Sequence, residues 1–311
     1  MPSGLSAESL QDPGRHRGVA VGISVGLIVV IACAVALLLI LGGRSSGNRG
    51  SGSSVPRHTS ATIRLLSYGS DPLQQIKAYP AARNGSPLVV LVHGGGWHSE
   101  LHEFMSPEAM DLQQAGFAVF DVNYRSFTPT GAFPREIDDV VAATRLAIND
   151  AASFNADSKA VTMIGGSAGG QLVASASQTL NSTPGTIAKV VTLSAPTDFA
   201  TLVHDGETGT LSANGLAGVE QGLGCTAASC TSAQETPWSP ALTVTSTNCP
   251  AHWLIINSTN ELIPVEQATG LATALHSIGC AATVVLNDGE NHAYAAWPLV
   301  RDKVIAFVGA S

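Results

Sequence analysis

The chain has 311 residues, 45% of them hydrophobic and 12% charged, and its 15 Lys and Arg against 23 Asp and Glu leave a net charge of −8 at pH 7. That balance offers no basic patch and argues against nucleic acid as a partner. No internal repeat is visible, and the length beyond the first 60 residues suits one α/β domain.

Residues 1–18 form a short N-terminal segment carrying Arg15 and Arg17, expected on the cytoplasmic side. Residues 19–41 carry no charged side chain and are rich in Val, Ile, Leu and Ala. The run is long enough to cross a hydrocarbon core ~30 Å thick and exceeds the ~7–15 apolar residues of a signal peptide. It is expected to be a single transmembrane helix, with Cys33 inside it. Arg44 and Arg49 follow the run as Arg15 and Arg17 precede it, so the positive-inside count does not orient it. Residues 42–60, GGRSSGNRGSGSS and its continuation, have no apolar surface to bury and read as a flexible tether. Residues 61–311 are the expected catalytic domain.

Within that domain, the apolar run 87–92 reads as a buried strand and ends in His93-Gly94-Gly95-Gly96-Trp97. A second run, 160–164, ends in Gly165-Gly166-Ser167-Ala168-Gly169. The Ala-rich stretch 168–180 then carries apolar residues at helical spacing and stops before Pro184-Gly185. In Gly-x-Ser-x-Gly the serine sits on a strained strand-to-helix turn, and glycines leave room where the two elements meet. Ser167 thus falls at a helix N-terminus, where free N–H groups favour developing negative charge. The glycine run complements it: backbone N–H groups of Gly95, Gly96 and Ala168 are the expected oxyanion donors, each worth about 3–4 kcal/mol in a transition state.

These strings resemble the α/β-hydrolase superfamily, in its HGGG-bearing carboxylesterase and lipase branch, close to hormone-sensitive-lipase-like and BD-FAE-like enzymes. Asp121-Val122-Asn123-Tyr124-Arg125 after a strand, and the helix opened by Phe133-Pro134-Arg135-Glu136 and carrying Asp139, also resemble that branch. The resemblance implies a mostly parallel central sheet flanked by helices, a small cap, and scaffold roles for Tyr124, Arg125 and Asp139. It further implies the chain order serine, acid, histidine.

Four histidines follow Ser167: His204, His252, His276 and His292. His252 begins a strand, the wrong end of the sheet for chemistry, and His276 falls in the helical pattern 264–278. His292 follows the strand 282–286 and precedes the last helix, the loop in which hydrolases of this type carry their base. The acid departs from the family pattern, because Asn260 stands where counting back from Pro264 places an aspartate. A neutral amide orients an imidazole but stabilises its charge poorly. The adjacent Glu261 is therefore the expected acid, with Asp198 and Asp288 as rivals.

The segment 200–247 is crowded with Gly, Ser, Thr and Ala and is expected to form a small loop-and-helix cover over the site. Trp97, Phe199, Trp238 and Trp297 are each compatible with packing or with lining the pocket. By the family topology Cys249 and Cys280 precede parallel neighbouring strands and start at one edge of the sheet, leaving Cys225 to pair with Cys230 across a short loop. A disulfide framework implies an oxidising compartment, with the catalytic domain outside the membrane. A zinc site is the weak alternative, and neither a metal nor an organic cofactor is expected. The function implied is cleavage of small-molecule carboxylic esters. A peptidase or lactonase on the same fold, or an inactive hydrolase fold used as a binding module, are the alternatives.

Overall fold

The computed structural model describes residues 62–100 and 104–310. The chain divides into two units, Met1–Val55 and Pro56–Ser311. The first unit, with the expected membrane span 19–41 and Cys33, lies outside the described residues, as does the tether to residue 60. Among the described residues no helix is long and apolar enough to cross a membrane.

The second unit is built on one eight-stranded sheet: β1 (Arg64–Ser67), β2 (Gln75–Tyr79), β3 (Ser86–Val92), β4 (Ala118–Val122), β5 (Ala156–Gly166), β6 (Lys189–Leu193), β7 (His252–Ser258) and β8 (Ala281–Asn287). Its spatial order is β1-β2-β4-β3-β5-β6-β7-β8. The β1–β2 and β2–β4 pairs are antiparallel and every other pair is parallel. Asp121 and Val122, which the sequence places after a strand, are the last two residues of β4. Partners on both sides, Ile76 and Lys77 of β2 and Leu91 and Val92 of β3, extend the strand that far.

The central strands are apolar without interruption because both faces of the sheet are covered. Along β3, Leu88, Val90 and Val92 enter one core cluster while Val89 and Leu91 enter the other, as the two-residue period of a strand requires. The first cluster packs under α2 (Arg135–Asp150), α3 (Ala168–Leu180) and α8 (Val265–Ser277). The second packs under α1 (Ser106–Gln114) and α9 (Trp297–Gly309). Removing one such side chain, as in Leu91→Ala, is expected to cost about 2–5 kcal/mol.

The predicted cover is more helical than its composition suggests. It contains α4 (Phe199–Thr208), α5 (Ala213–Leu223) and two single turns, α6 (Ser232–Glu235) and α7 (Pro240–Thr243). The ends of α4 and α5 are specified locally. Asp198 and Ser212 cap the N-termini by accepting from Thr201 N–H and Gly215 N–H, and Gly209 and Gly224 close the C-termini with φ of 83° and 69°. Disulfides join Cys225 to Cys230 and Cys249 to Cys280. The second ties the loop before β7 to the loop before β8, at the sheet edge opposite the motifs.

Candidate active site

Ser167 stands between the last residue of β5 and the first of α3, with φ 54° and ψ −125°. A non-glycine residue held there costs of order 1–3 kcal/mol and persists only where its surroundings over-determine it. Those surroundings are backbone. A Cβ on Gly165 would lie 2.2 Å from the Gly169 carbonyl oxygen, and one on Gly169 would lie 2.2 Å from that of His93. Helix α3 therefore meets the ends of β5 and β3 at main-chain distance, and any side chain would push it away. The Ser167 N–H donates to the Leu193 carbonyl at 2.8 Å, which pins the turn to β6.

The glycine string after β3 turns through left-handed conformations at Gly95, Gly96 and Trp97, with φ of 104°, 61° and 62°. His93 is buried and holds this loop in shape. Its ring stacks on Tyr124 at 4.2 Å, and its Nε2 lies 3.0 Å from both Asn123 Oδ1 and Ser99 Oγ. The Tyr124 hydroxyl donates to the Gly94 and His93 carbonyls at 3.0 and 3.2 Å. Asp139, buried on α2, accepts from the Arg125 guanidinium at 2.6 Å, from the Arg125 N–H at 3.0 Å and from Gln74 at 2.8 Å. That hydrogen bonding raises the guanidinium pKa. Tyr124, Arg125 and Asp139 thus brace the loop from behind. Ala168 is the first residue of α3, so its N–H has no intrahelical acceptor.

His292 follows β8, and its Nδ1 lies in hydrogen-bond contact with the Glu261 carboxylate. The Glu261 side chain is wholly buried and its other oxygen accepts from the Ser258 N–H at 3.3 Å. The other acid candidates are engaged elsewhere or exposed. Asn260 is exposed and donates to Glu290 at 3.1 Å, Asp198 caps α4, and Asp288 is exposed. His252 lies exposed at the start of β7 and His276 meets the Ala282 carbonyl.

Side-chain hydroxyls that the sequence does not flag fix the loop that carries His292. Buried Ser194, at φ 52°, accepts from the Ala293 N–H at 2.8 Å, and Ser258 donates to the Asn291 carbonyl at 2.7 Å. Ala293 itself is left-handed at φ 49°. The Tyr294 hydroxyl donates to the Val92 carbonyl at 2.9 Å, linking the base loop to the end of β3. Serine after an apolar strand is a weak signal alone, which is why only the fold reveals these contacts.

Ser167 and His292 line one cavity of about 440 Å³, together with Gly94, Gly95, Gly96, Trp97 and residues of α5. Trp97 serves both packing and lining. It is buried, its indole donates to Gln171 Oε1 at 3.1 Å, and it packs against Phe133 and Phe199 at 5.8 and 5.6 Å. Phe199 and Trp238 belong to the same aromatic cluster, whereas Trp297 is buried on the opposite face and donates to Asp111. Around Tyr294, which lines the cavity, burial pushes the Asp121 carboxyl up to about 8 and raises Glu108 as well. Tyr294 is raised by its own burial first and by the charges of Glu108 and Asp121 next. Among the described residues no group of His, Cys, Asp and Glu is placed to hold a metal ion.

The BD-FAE family model matches residues 75–275. Among curated proteins, the chain is 35% identical over 96 residues to carboxylesterase NlhH of Mycobacterium tuberculosis, covering 30% of each chain. It is 31% identical over 84 residues to kynurenine formamidase of Meyerozyma guilliermondii, covering 27% of this chain and 32% of that one. These matches span about a third of the relatives' own length. Among solved structures, a truncated carbohydrate esterase from gut microbiota superposes with a TM-score of 0.64 at 20% identity, over 80% of this chain and 96% of that one. Carboxyl esterase 2 from Tuber melanosporum gives 0.64 at 19%, over 83% and 87%. Likeness at this identity establishes a shared fold, the α/β-hydrolase fold.

Proposed function

The chain belongs to the BD-FAE family, and on that premise we propose that it is a serine hydrolase that cleaves small-molecule carboxylic esters through an acyl-enzyme. The observation that carries this reading is the strained Ser167 facing a cavity shared with His292, whose ring is held by a buried carboxylate. Ser167 Oγ attacks the acyl carbon and His292 takes its proton. The Glu261 carboxylate fixes the ring orientation and stabilises the imidazolium that results. The oxyanion is received by the N–H groups of Gly95, Gly96 and Ala168. His292 then protonates the departing alcohol, and a water activated by the same ring releases the acid and regenerates Ser167.

The N-terminal run 19–41 is assigned as a membrane anchor, and the two disulfides favour an oxidising, extracytoplasmic setting for the catalytic domain. The relative named kynurenine formamidase supports an amide-cleaving second reading, since the same nucleophile and oxyanion donors serve both bonds. The test is fluorophosphonate labelling of the full chain. Labelling that is lost in Ser167→Ala supports the nucleophile. No labelling of folded wild type overturns the enzyme reading and puts an inactive binding module in its place. Rates on matched ester and anilide substrates then separate the two chemistries.

A further inference from the structure

One glycine in the wall of this cavity is required neither by a turn nor by packing. Helix α5 carries glycines at 215, 218 and 222. A Cβ on Gly215 would meet Leu211 at 2.7 Å, and one on Gly222 would meet the Trp97 ring at 2.8 Å. Close packing explains both. Among the described residues a Cβ on Gly218 would meet nothing within 4 Å, and its φ is not left-handed.

A glycine inside a helix costs about 1 kcal/mol relative to alanine. Folding alone therefore favours alanine at this position. What Gly218 faces is the cavity that Ser167 and His292 line. On the same stretch of wall stand Asn214 and Val219 from α5, with Leu262 and Ile263 beside them. Among the described residues the lining contains no Lys, Arg, Asp or Glu, so these walls offer no charge to a charged substituent, which would lose hydration without a partner.

We propose that Gly218 is a specificity-determining residue of this site: the side chain it lacks leaves room along α5 for an uncharged, nonpolar substituent of several carbons on the ester. The inference rests on the ester-hydrolase reading above. Substrate discrimination by a nonpolar pocket is modest per methylene, roughly 10–200-fold for one group that fits or fails to fit. A side chain that fills the space should reproduce a step of that size.

The test uses the full chain with Gly218→Ala and Gly218→Leu. Two substrate series are assayed, p-nitrophenyl esters from acetate to decanoate and alkyl acetates from methyl to octyl. The expected result is a fall of at least tenfold in the octanoate-to-acetate ratio of kcat/KM for Gly218→Leu, or in the octyl-to-methyl ratio, with Gly218→Ala between it and wild type. The melting temperature of Gly218→Ala should equal or exceed that of wild type. Unchanged ratios in both series, from a variant that melts and labels like wild type, overturn the proposal. Wild type that neither labels nor hydrolyses any ester instead overturns the reading beneath it. In Gly218→Ala, a melting temperature well below wild type would show that the glycine serves packing after all.

Discussion

The Ser167 half of the candidate site is built from main chain and the His292 half from side chains. Ser167 is positioned by glycines that let α3 touch β3 and β5, with carbonyls 2.2 Å from where a Cβ would sit. His292 is positioned by a carboxylate and by the hydroxyls of Ser194 and Ser258, reaching across 31, 99 and 33 residues of sequence. A backbone-built element tolerates almost no substitution and leaves a motif in the sequence. One built from side chains can be assembled from several residue types, and it leaves scattered, individually weak signals.

The comparison breaks most visibly if Glu261 is neutralised. Glu261→Gln keeps the shape but removes the charge opposite the imidazolium, and a fall in kcat of about 10³–10⁴-fold is expected. Asn260→Ala should stay within twofold, since its amide faces Glu290. Equal losses in both variants would mean that Glu261 is not the acid.

Next in size is the Ser167 half. Gly169→Ala forces α3 off the β3 end, and a loss of about 3 kcal/mol in unfolding free energy is expected by denaturant titration. A variant with wild-type stability would show that the main-chain contact is softer than its geometry.

A third test addresses the buried carboxyl whose charge acts on Tyr294. Asp121 sits at about 8 when folded, against an ordinary 3.8, so the folded state holds a proton that the unfolded state has released. Its contribution is fully present below about pH 4 and is lost as pH rises toward 8. Asp121→Asn should flatten that fall, improving stability at pH 9 relative to wild type by about 2 kcal/mol compared with the same difference at about pH 6.5. Parallel curves for the two proteins would count against the buried carboxyl as the cause.

The smallest effect sharpens the comparison furthest. Ser194→Ala leaves the Ala293 N–H without its acceptor and loosens the base without touching substrate. A fall in kcat of about tenfold with unchanged KM is expected. If KM rises while kcat holds, Ser194 shapes the pocket rather than the base loop.

The same contrast explains what the sequence made legible. The strand end at 92, the run 160–164 whose strand extends two residues further to Gly166, and the helix Ala168–Leu180 follow from glycine spacing and apolar runs, while the order of Ser167, Glu261 and His292 was what the family resemblance implied. The antiparallel pair β1 and β2 was missed because four- and five-residue strands at an edge, with exposed Arg64 and Leu65, carry little periodic signal. The loop-and-helix cover expected over 200–247 contains α4 and α5, and the glycines at 215, 218 and 222, which thin the apolar stripe of α5, hid their separate extents. Their caps were readable: Asp198 and Ser212 three residues before the N–H they accept, Gly209 and Gly224 at the far ends. Ser194 and Gly218 could not be found locally, since one acts on a loop 99 residues away and the other by lacking a side chain.

Four non-glycine residues around the cavity, Trp97, Ser167, Ser194 and Ala293, are held left-handed. At roughly 1 kcal/mol each or more, they represent an amount comparable to a good part of the 5–15 kcal/mol by which a domain is stable at all. Selection for heat resistance would meet Ala293 first, because Ala293→Gly relaxes the backbone without removing a side-chain hydrogen bond. The robustness so gained would be drawn from the geometry that aims Ser167 and His292, so hardier descendants of this protein should be slower ones.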